Sequence, residues 1–502
     1  VPIEPGGRSE PRIRLWSLRE DVLVEGDPQD DRLVVVTRWG ETKIEGADEM
    51  VWESLRRMSL GPVSLDNVLG PRGGSPEDIA RLRDVLYRLA GSVVHSLGTR
   101  SGEGPMLSAV PVARTARFVF AEVDPARPVR LSRFAAIRTN DGDLVLESPL
   151  ADYRVVLHRR IASRVVVGLN AATSVSDLAA ALDFEHSLVG DVVSFLAATR
   201  IVLLGEWADG AAARVPRFVE DTDPSLVSWS HHDLLFHART RLGRYGGLSG
   251  MVFPTAQAVP PPALVKRLEG GRRFRLHQPD LAELDTSDPS LTEVIENTRL
   301  CQELSDRPVT AKQVGELLFR AARIRSVSRA SAGGSVTYEV SDRPYLSVNG
   351  LYELEIYLLL HRCADLPRAI YHFDPQAHEL TMVNDADGEL DEVLDYAMIG
   401  SGTSRWPPAM ITVTARAARS SWMYGGIAYS LTLTHVGALQ QTLCLAATAM
   451  GLAACVPAID PGDVVDAALR LDWPAEIGVG EFVFGHRSES RGADGGTPII
   501  RQ

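Results

Sequence analysis

Apolar and polar positions alternate most clearly between residues 144 and 204. Leu144-Val145-Leu146 and Arg154-Val155-Val156-Leu157 read as two half-buried strands, joined through the turn signal Ser148-Pro149. A helical period follows from Ile161 to Leu169. Thr173 to Asp177 supplies an N-cap signal ahead of a helix at Leu178 to Leu182. An amphipathic stretch, about Ser187 to Ala198, then leads into an apolar strand from Ile201 to Leu204. The region before it reads in a similar order. Strands are predicted at Val22-Leu23-Val24 and Leu33 to Val36, helices near Glu49 to Met58 and Pro76 to Leu89, and loops at Pro71 to Ser75 and Ser101 to Pro105. Arg14 to Leu18 opens the first unit and Arg130 to Phe134 the second, a weak internal repeat.

Hairpin, helices and strand together resemble a winged helix. The expected organisation is therefore two tandem winged-helix-like units, 1–125 and 126–225, a larger domain over 226–490 and a flexible polar tail over 491–502. In the large domain the segment Ile427 to Cys455 is long and apolar, but Thr432, Thr434, His435, Gln440, Gln441 and Thr442 interrupt it. A membrane span needs about 18 uninterrupted apolar residues. The segment reads instead as a helix buried in a large core or an interface.

Composition narrows the function classes. The chain has 502 residues, 45% hydrophobic and 23% charged, with a formal net charge of −13. That balance is ordinary for a globular protein and argues against a nucleic-acid surface, which needs clustered Lys and Arg. The helix Ser187 to Leu196, where a DNA-reading unit would carry its contacts, has no Arg or Lys. Two roles stay open for the front units: docking a peptide by strand addition, or packing and assembly only. The cysteines Cys301, Cys363, Cys444 and Cys455 form no CxxC pair, so neither a disulfide framework nor a metal site is expected. The first residues, Val1 to Gly7, lack a basic stretch followed by an apolar core, and a cytoplasmic location is expected. No HExxH, GxSxG or Walker-type loop occurs. His435, on the long apolar segment, reads as a satisfied core histidine, and His231-His232 as solvated.

An ordered set of segments in the back half carries a family resemblance. It runs through Asp233 to Arg244, Arg343 to Ser347, Leu351 to Leu358, Leu366 to Pro375, Ser421 to Tyr429, His435-Val436-Gly437, Thr448 to Cys455 and Gly480 to Gly485. The set resembles the SagB/ThcOx branch of the nitroreductase superfamily. The resemblance implies an α+β fold, a nitroreductase-like domain with a mixed sheet flanked by helices. It also implies dimers with FMN at the subunit interface, and oxidation of peptide azolines to azoles during ribosomal natural-product maturation. The implied partners are a precursor peptide, a second copy or a paralogous dehydrogenase (homodimer or heterodimer), and a cyclodehydratase, with no nucleic acid and no membrane.

Site residues carry over one at a time. The family's Arg-Arg-Ser-x-Arg phosphate motif falls on Thr298 to Gln302, where only Arg299 is retained. Its Pro-Ser-Gly-Gly turn falls on Leu346-Ser347-Val348-Asn349, followed by Gly350, so Ser347, Asn349 and Gly350 are the expected cofactor contacts. Its Lys-Tyr pair falls on Met423-Tyr424, leaving Tyr424 as the expected proton-transfer residue, and no metal is implied. The Gly-rich stretch near the end falls on Val456 to Gly462. Arg343, Arg416 and Arg419 could replace the missing phosphate ligands, or serve as salt-bridge residues. Two functions follow: an FMN-dependent azoline dehydrogenase, or a catalytically degenerate scaffold that pairs with an active dehydrogenase or presents the precursor peptide, its FMN lost.

Overall fold

A computed structural model describes residues 12–26, 32–69, 75–99, 104–140, 142–210, 214–241, 244, 247, 249–299, 304–333, 336–457 and 462–488. The expected tail, 491–502, and Leu300 to Gln302 of the phosphate motif lie outside the described residues. The chain divides into two compact units, Val1–Ser249 and Gly250–Gln502.

In the first unit a six-stranded sheet contains β1 (Arg12–Leu18), β2 (Val93–Thr99), β3 (Pro105–Pro111), β4 (Ala136–Asn140), β5 (Asp143–Glu147) and β6 (Tyr153–Leu157) in the order β1-β2-β3-β6-β5-β4. Every pairing in it is antiparallel. The predicted helices are present as α1 (Glu49–Leu60), α2 (Pro76–Arg88), α3 (Arg160–Gly168), α4 (Val175–Leu182) and α5 (His186–Ala198). Their starts obey capping chemistry: Asp48 accepts from the Val51 amide, Ser75 forms a capping box with Asp78, and Ser174 accepts from the Asp177 amide. The front strands Leu23–Glu25, Arg32–Thr37 and Gly40–Glu45 make a separate three-stranded sheet, whose Leu33, Val35 and Ile44 pack on Val51, Leu55 and Met58 of α1.

The hairpin of the second predicted unit, however, is no free-standing wing. Its strand β6 pairs with β3, so the sheet continues across residue 126. Tyr153, Val155 and Leu157 face a core they share with Leu107 and Ala109, and that burial fixes the pairing. Helix α6 (His231–Arg239) belongs to this unit as well: Arg239 donates to Glu147 at 3.1 Å, and Arg244 beyond it donates to Asp152 at 3.0 Å.

The second unit centres on seven strands: β7 (Arg273–Arg275), β8 (Leu354–Leu360), β9 (Ala369–Asp374), β10 (Glu379–Asn384), β11 (Ala409–Arg416), β12 (Ala453–Cys455) and β13 (Glu476–Gly485), ordered β7-β10-β9-β8-β11-β13-β12. The expected mixed sheet is corrected here. All six pairings are antiparallel, because the central strands β8, β9 and β10 follow one another through short connections that return the chain alongside itself. Strand β8 is buried at all seven positions because both faces are covered. Leu354, Ile356, Leu358 and Leu360 face α8 (Ala311–Ala322) and α11 (Ala428–Ala449). Tyr357 and Leu359 face α9 (Asp387–Ser401) and α12 (Asp463–Ala468).

The helix predicted in the apolar segment is α11, 22 residues long. It buries the stripe Thr432, His435, Val436, Leu439, Leu443 and Ala447, while Tyr429 and Leu433 on its other side are exposed. Against Val436 and Gln440 the sheet presents Gly480; a Cβ there would lie 2.8 Å from Val436 Cγ1 and 3.0 Å from Gln440 Nε2. Among the described residues no helix is long and apolar enough to cross a membrane.

Candidate functional site

Between Arg343 and Glu353 the chain makes a tight turn ahead of β8, and side chains pin it from inside. The Tyr352 hydroxyl accepts from the Arg343 amide at 3.1 Å and donates to the Tyr345 carbonyl at 2.9 Å. The Tyr352 amide donates to Ser347 Oγ at 3.1 Å. The Val348 amide donates to His435 Nε2 at 2.9 Å, which leaves Nδ1 protonated to donate to Glu353 Oε1 at 2.8 Å. His435 is thus a satisfied core histidine, 1% exposed, whose role is to tie α11 to the turn. Burial pushes the Glu353 carboxyl up, but its bond to His435 and the proximity of that ring prevail and hold it below the usual range.

Three residues of the turn are left-handed, Asn349 at φ 57°, Gly350 at φ 64° and Tyr352 at φ 46°. Gly350 is required twice over, since a Cβ there would also lie 2.9 Å from the Ser341 carbonyl. Asn tolerates this conformation better than other non-glycine residues. From it Asn349 donates through Nδ2 to the Tyr424 hydroxyl at 2.8 Å. Helix α10 (Ala417–Met423) brings Tyr424 there, and Met423 points into a buried cluster with Trp422, Tyr338 and Leu351. Burial raises the Tyr424 phenol above its ordinary value, and the bond from Asn349 offsets only part of that. At neutral pH Tyr424 is therefore a proton donor and not a base.

The structure thus gathers Ser347, Asn349, Gly350 and Tyr424 in one place, and Arg299 in another. Arg299 follows α7 (Leu291–Asn297), is exposed, and donates to the carbonyl of its neighbour Thr298 at 2.9 Å. Thr298 Oγ1 donates to Thr448 Oγ1 at 3.1 Å, near the end of α11. Along that helix, Thr448 lies 13 residues beyond His435, which is about 20 Å. Within one chain Arg299 does not reach the turn.

The three other arginines weighed for a phosphate are committed elsewhere. Arg419 is 2% exposed and donates to the carbonyls of Leu351 (2.7 Å), Pro262 (2.7 Å) and Glu339 (3.1 Å). Burial, then the neighbouring Arg416 and Arg343, lower its pKa to about 10. Arg416 pairs with Glu355 at 2.7 Å and donates to the carbonyls of Ala263 and Leu264. Arg343 is buried, bonds Ser341 Oγ at 3.3 Å and lies over the Tyr352 ring.

These observations decide whether the residues present fit FMN. Its phosphate is a dianion and wants guanidinium groups and free amides. Around the turn the Val348 amide is spent on His435, Arg416 and Arg419 on backbone carbonyls and Glu355, and Arg343 bonds Ser341 Oγ. A left-handed backbone that permits close approach of a ligand is present at Asn349 and Gly350, but the described residues of one chain do not assemble a phosphate site. Glu353 is the contributor that the sequence reading did not single out. It lies in the segment Leu351 to Leu358, which enters only through the family resemblance, and the signal for it is a carboxyl in a largely apolar run.

Residues 129–246 match the family profile described as cyanobactin oxidase ThcOx, and residues 295–486 match the nitroreductase family. A nitroreductase-type protein of Methanocaldococcus jannaschii is 23% identical over 182 residues, covering 36% of this chain and 82% of that protein. Among solved structures, a nitroreductase-type protein of Ralstonia eutropha is 21% identical and covers 46% of this chain and 98% of its own, with a TM-score of 0.33. The Escherichia coli microcin synthetase McbBCD complex with truncated pro-MccB17 bound is 17% identical and covers 51% of this chain and 91% of that one, with a TM-score of 0.31. The match over 295–486 supports a nitroreductase-type domain in the second unit, and the ThcOx profile match falls in the first unit.

Proposed function

We propose that this chain is a ThcOx-related subunit of ribosomal-peptide maturation whose nitroreductase-type domain does not hold FMN alone. It supports or completes a site together with a second chain, an active dehydrogenase or another copy. One observation carries the reading: the Val348 amide is taken by His435, and Arg416 and Arg419 donate to backbone carbonyls of their own chain. The exposed Tyr429 and Leu433 of α11 offer a face for such a partner. The ThcOx match over 129–246 favours a precursor peptide as the other ligand, in a cytoplasmic setting with a cyclodehydratase upstream. The test is to incubate the full chain with FMN and a thiazoline-bearing peptide. Recovery of the peptide unoxidised is expected, and conversion to the thiazole by this chain alone would overturn the proposal.

A second reading, autonomous FMN-dependent oxidation of azolines to azoles, draws on the left-handed Asn349-Gly350 turn and the Asn349–Tyr424 bond. In it Ser347, Asn349 and Gly350 would bear on the flavin ring, Tyr424 would hold a proton, and Arg299 would come from the second subunit of a dimer.

A further inference from the structure

The first unit holds a cavity of about 160 Å³ that neither reading uses. It lies beside strands β1 and β2, lined by Arg14, Trp16, His95, Phe118, Phe120 and Phe195 among others. Register explains the convergence. Trp16 pairs with His95 and Arg14 with Leu97, so these residues share one sheet face, and Phe195 of α5 packs in the core against that face. Phe118 stacks on the His95 ring at 4.2 Å and 12°, and Trp16 meets it edge-on at 6.5 Å. The guanidinium of exposed Arg14 lies 5.0 Å from the Phe120 ring.

Two polar groups here meet aromatic rings but no hydrogen-bonding protein group among the described residues. His95 is partly buried and makes no hydrogen bond among the described residues, and Arg14 makes no ion pair there. Burial first, and Arg14 second, pull the imidazole down to about 4, so at neutral pH it offers one donor and one acceptor. A cavity of about this volume accommodates a single ring.

We propose that this cavity binds one planar aromatic ring carrying a hydrogen-bonding atom, which meets His95, with an anionic group of the ligand held by Arg14. The ring could belong to a peptide side chain or to a free small molecule, and the test separates them. Phenol, 4-hydroxyphenylacetate and N-acetyl-tyrosine amide are titrated into the full chain and followed by saturation-transfer NMR. The ring compounds are expected to bind saturably, 4-hydroxyphenylacetate most tightly. His95→Phe should weaken all binders about tenfold, the value of one hydrogen bond, and His95→Gln should restore much of it. Arg14→Leu, at an exposed position that leaves the fold intact, should weaken only the carboxylate. Binding of the blocked tyrosine assigns the ring to a peptide; binding of the free rings alone assigns it to a small molecule. Absence of saturable binding by all three up to about 10 mM, or affinities unchanged in both His95→Phe and Arg14→Leu, would overturn the proposal.

Discussion

At the scale of single residues, the turn before β8 depends on groups that satisfy one another. His435 takes the Val348 amide on one nitrogen and gives its proton to Glu353 with the other. His435→Phe strands both a buried amide and a buried carboxylate. A loss of about 3 kcal/mol in urea unfolding is expected, with the protein still folding at neutral pH. Asn349 poses a backbone question. Asn349→Gly should change stability by less than about 1 kcal/mol, because glycine adopts φ 57° freely, whereas Asn349→Val should cost about 2 kcal/mol. Paired melts of these two variants separate the conformational role of Asn349 from its bond to Tyr424, which both remove.

At the scale of elements, helix α11 lies close on β13 because Gly480 has no side chain. Gly480→Ala would push a Cβ against Val436 and Gln440 and should destabilise the second unit by about 1–3 kcal/mol. On the other face of the sheet, Glu355 is buried between His372 (2.9 Å) and Arg416 (2.7 Å). Burial drives its carboxyl up, the His372 bond and the cations drive it down, and the net direction is down, as for Glu353. A carboxyl held low in the folded state binds fewer protons there than in the unfolded chain. Its stabilisation is therefore present above the ordinary carboxylate range and is lost as pH falls through that range. The second unit's urea midpoint should drop between about pH 5 and 3, and Glu355→Gln should flatten that drop.

Much at this scale could be read from the residues. Tyr153, Val155 and Leu157 alternate, and the helices at Glu49, Pro76 and Val175 carry their caps in sequence. Strand β4, Ala-Ile-Arg-Thr-Asn, was not readable. It is an edge strand with Ile137 and its neighbours largely exposed, so no alternation marks it. The pairing of β3 with β6 was hidden for a different reason. It joins residues some 45 apart, and non-local pairing leaves no trace in local periodicity.

At the scale of the whole molecule, the site was legible in part. The motif positions at 347–350 and Tyr424 do come together, across 75 residues through Asn349, a contact that local sequence does not mark. The separation of Arg299 from them was not legible, since it depends on where the far end of α11 lies. Nor was the internal use of Arg416 and Arg419, whose acceptors are backbone carbonyls that a sequence does not mark. Both facts bear on the proposal that the described residues of one chain assemble no phosphate cradle for FMN. Purified chain, incubated with excess FMN and desalted, tests it by absorbance. The account predicts a colourless protein without flavin bands. Stoichiometric retention of FMN by this chain alone would contradict it.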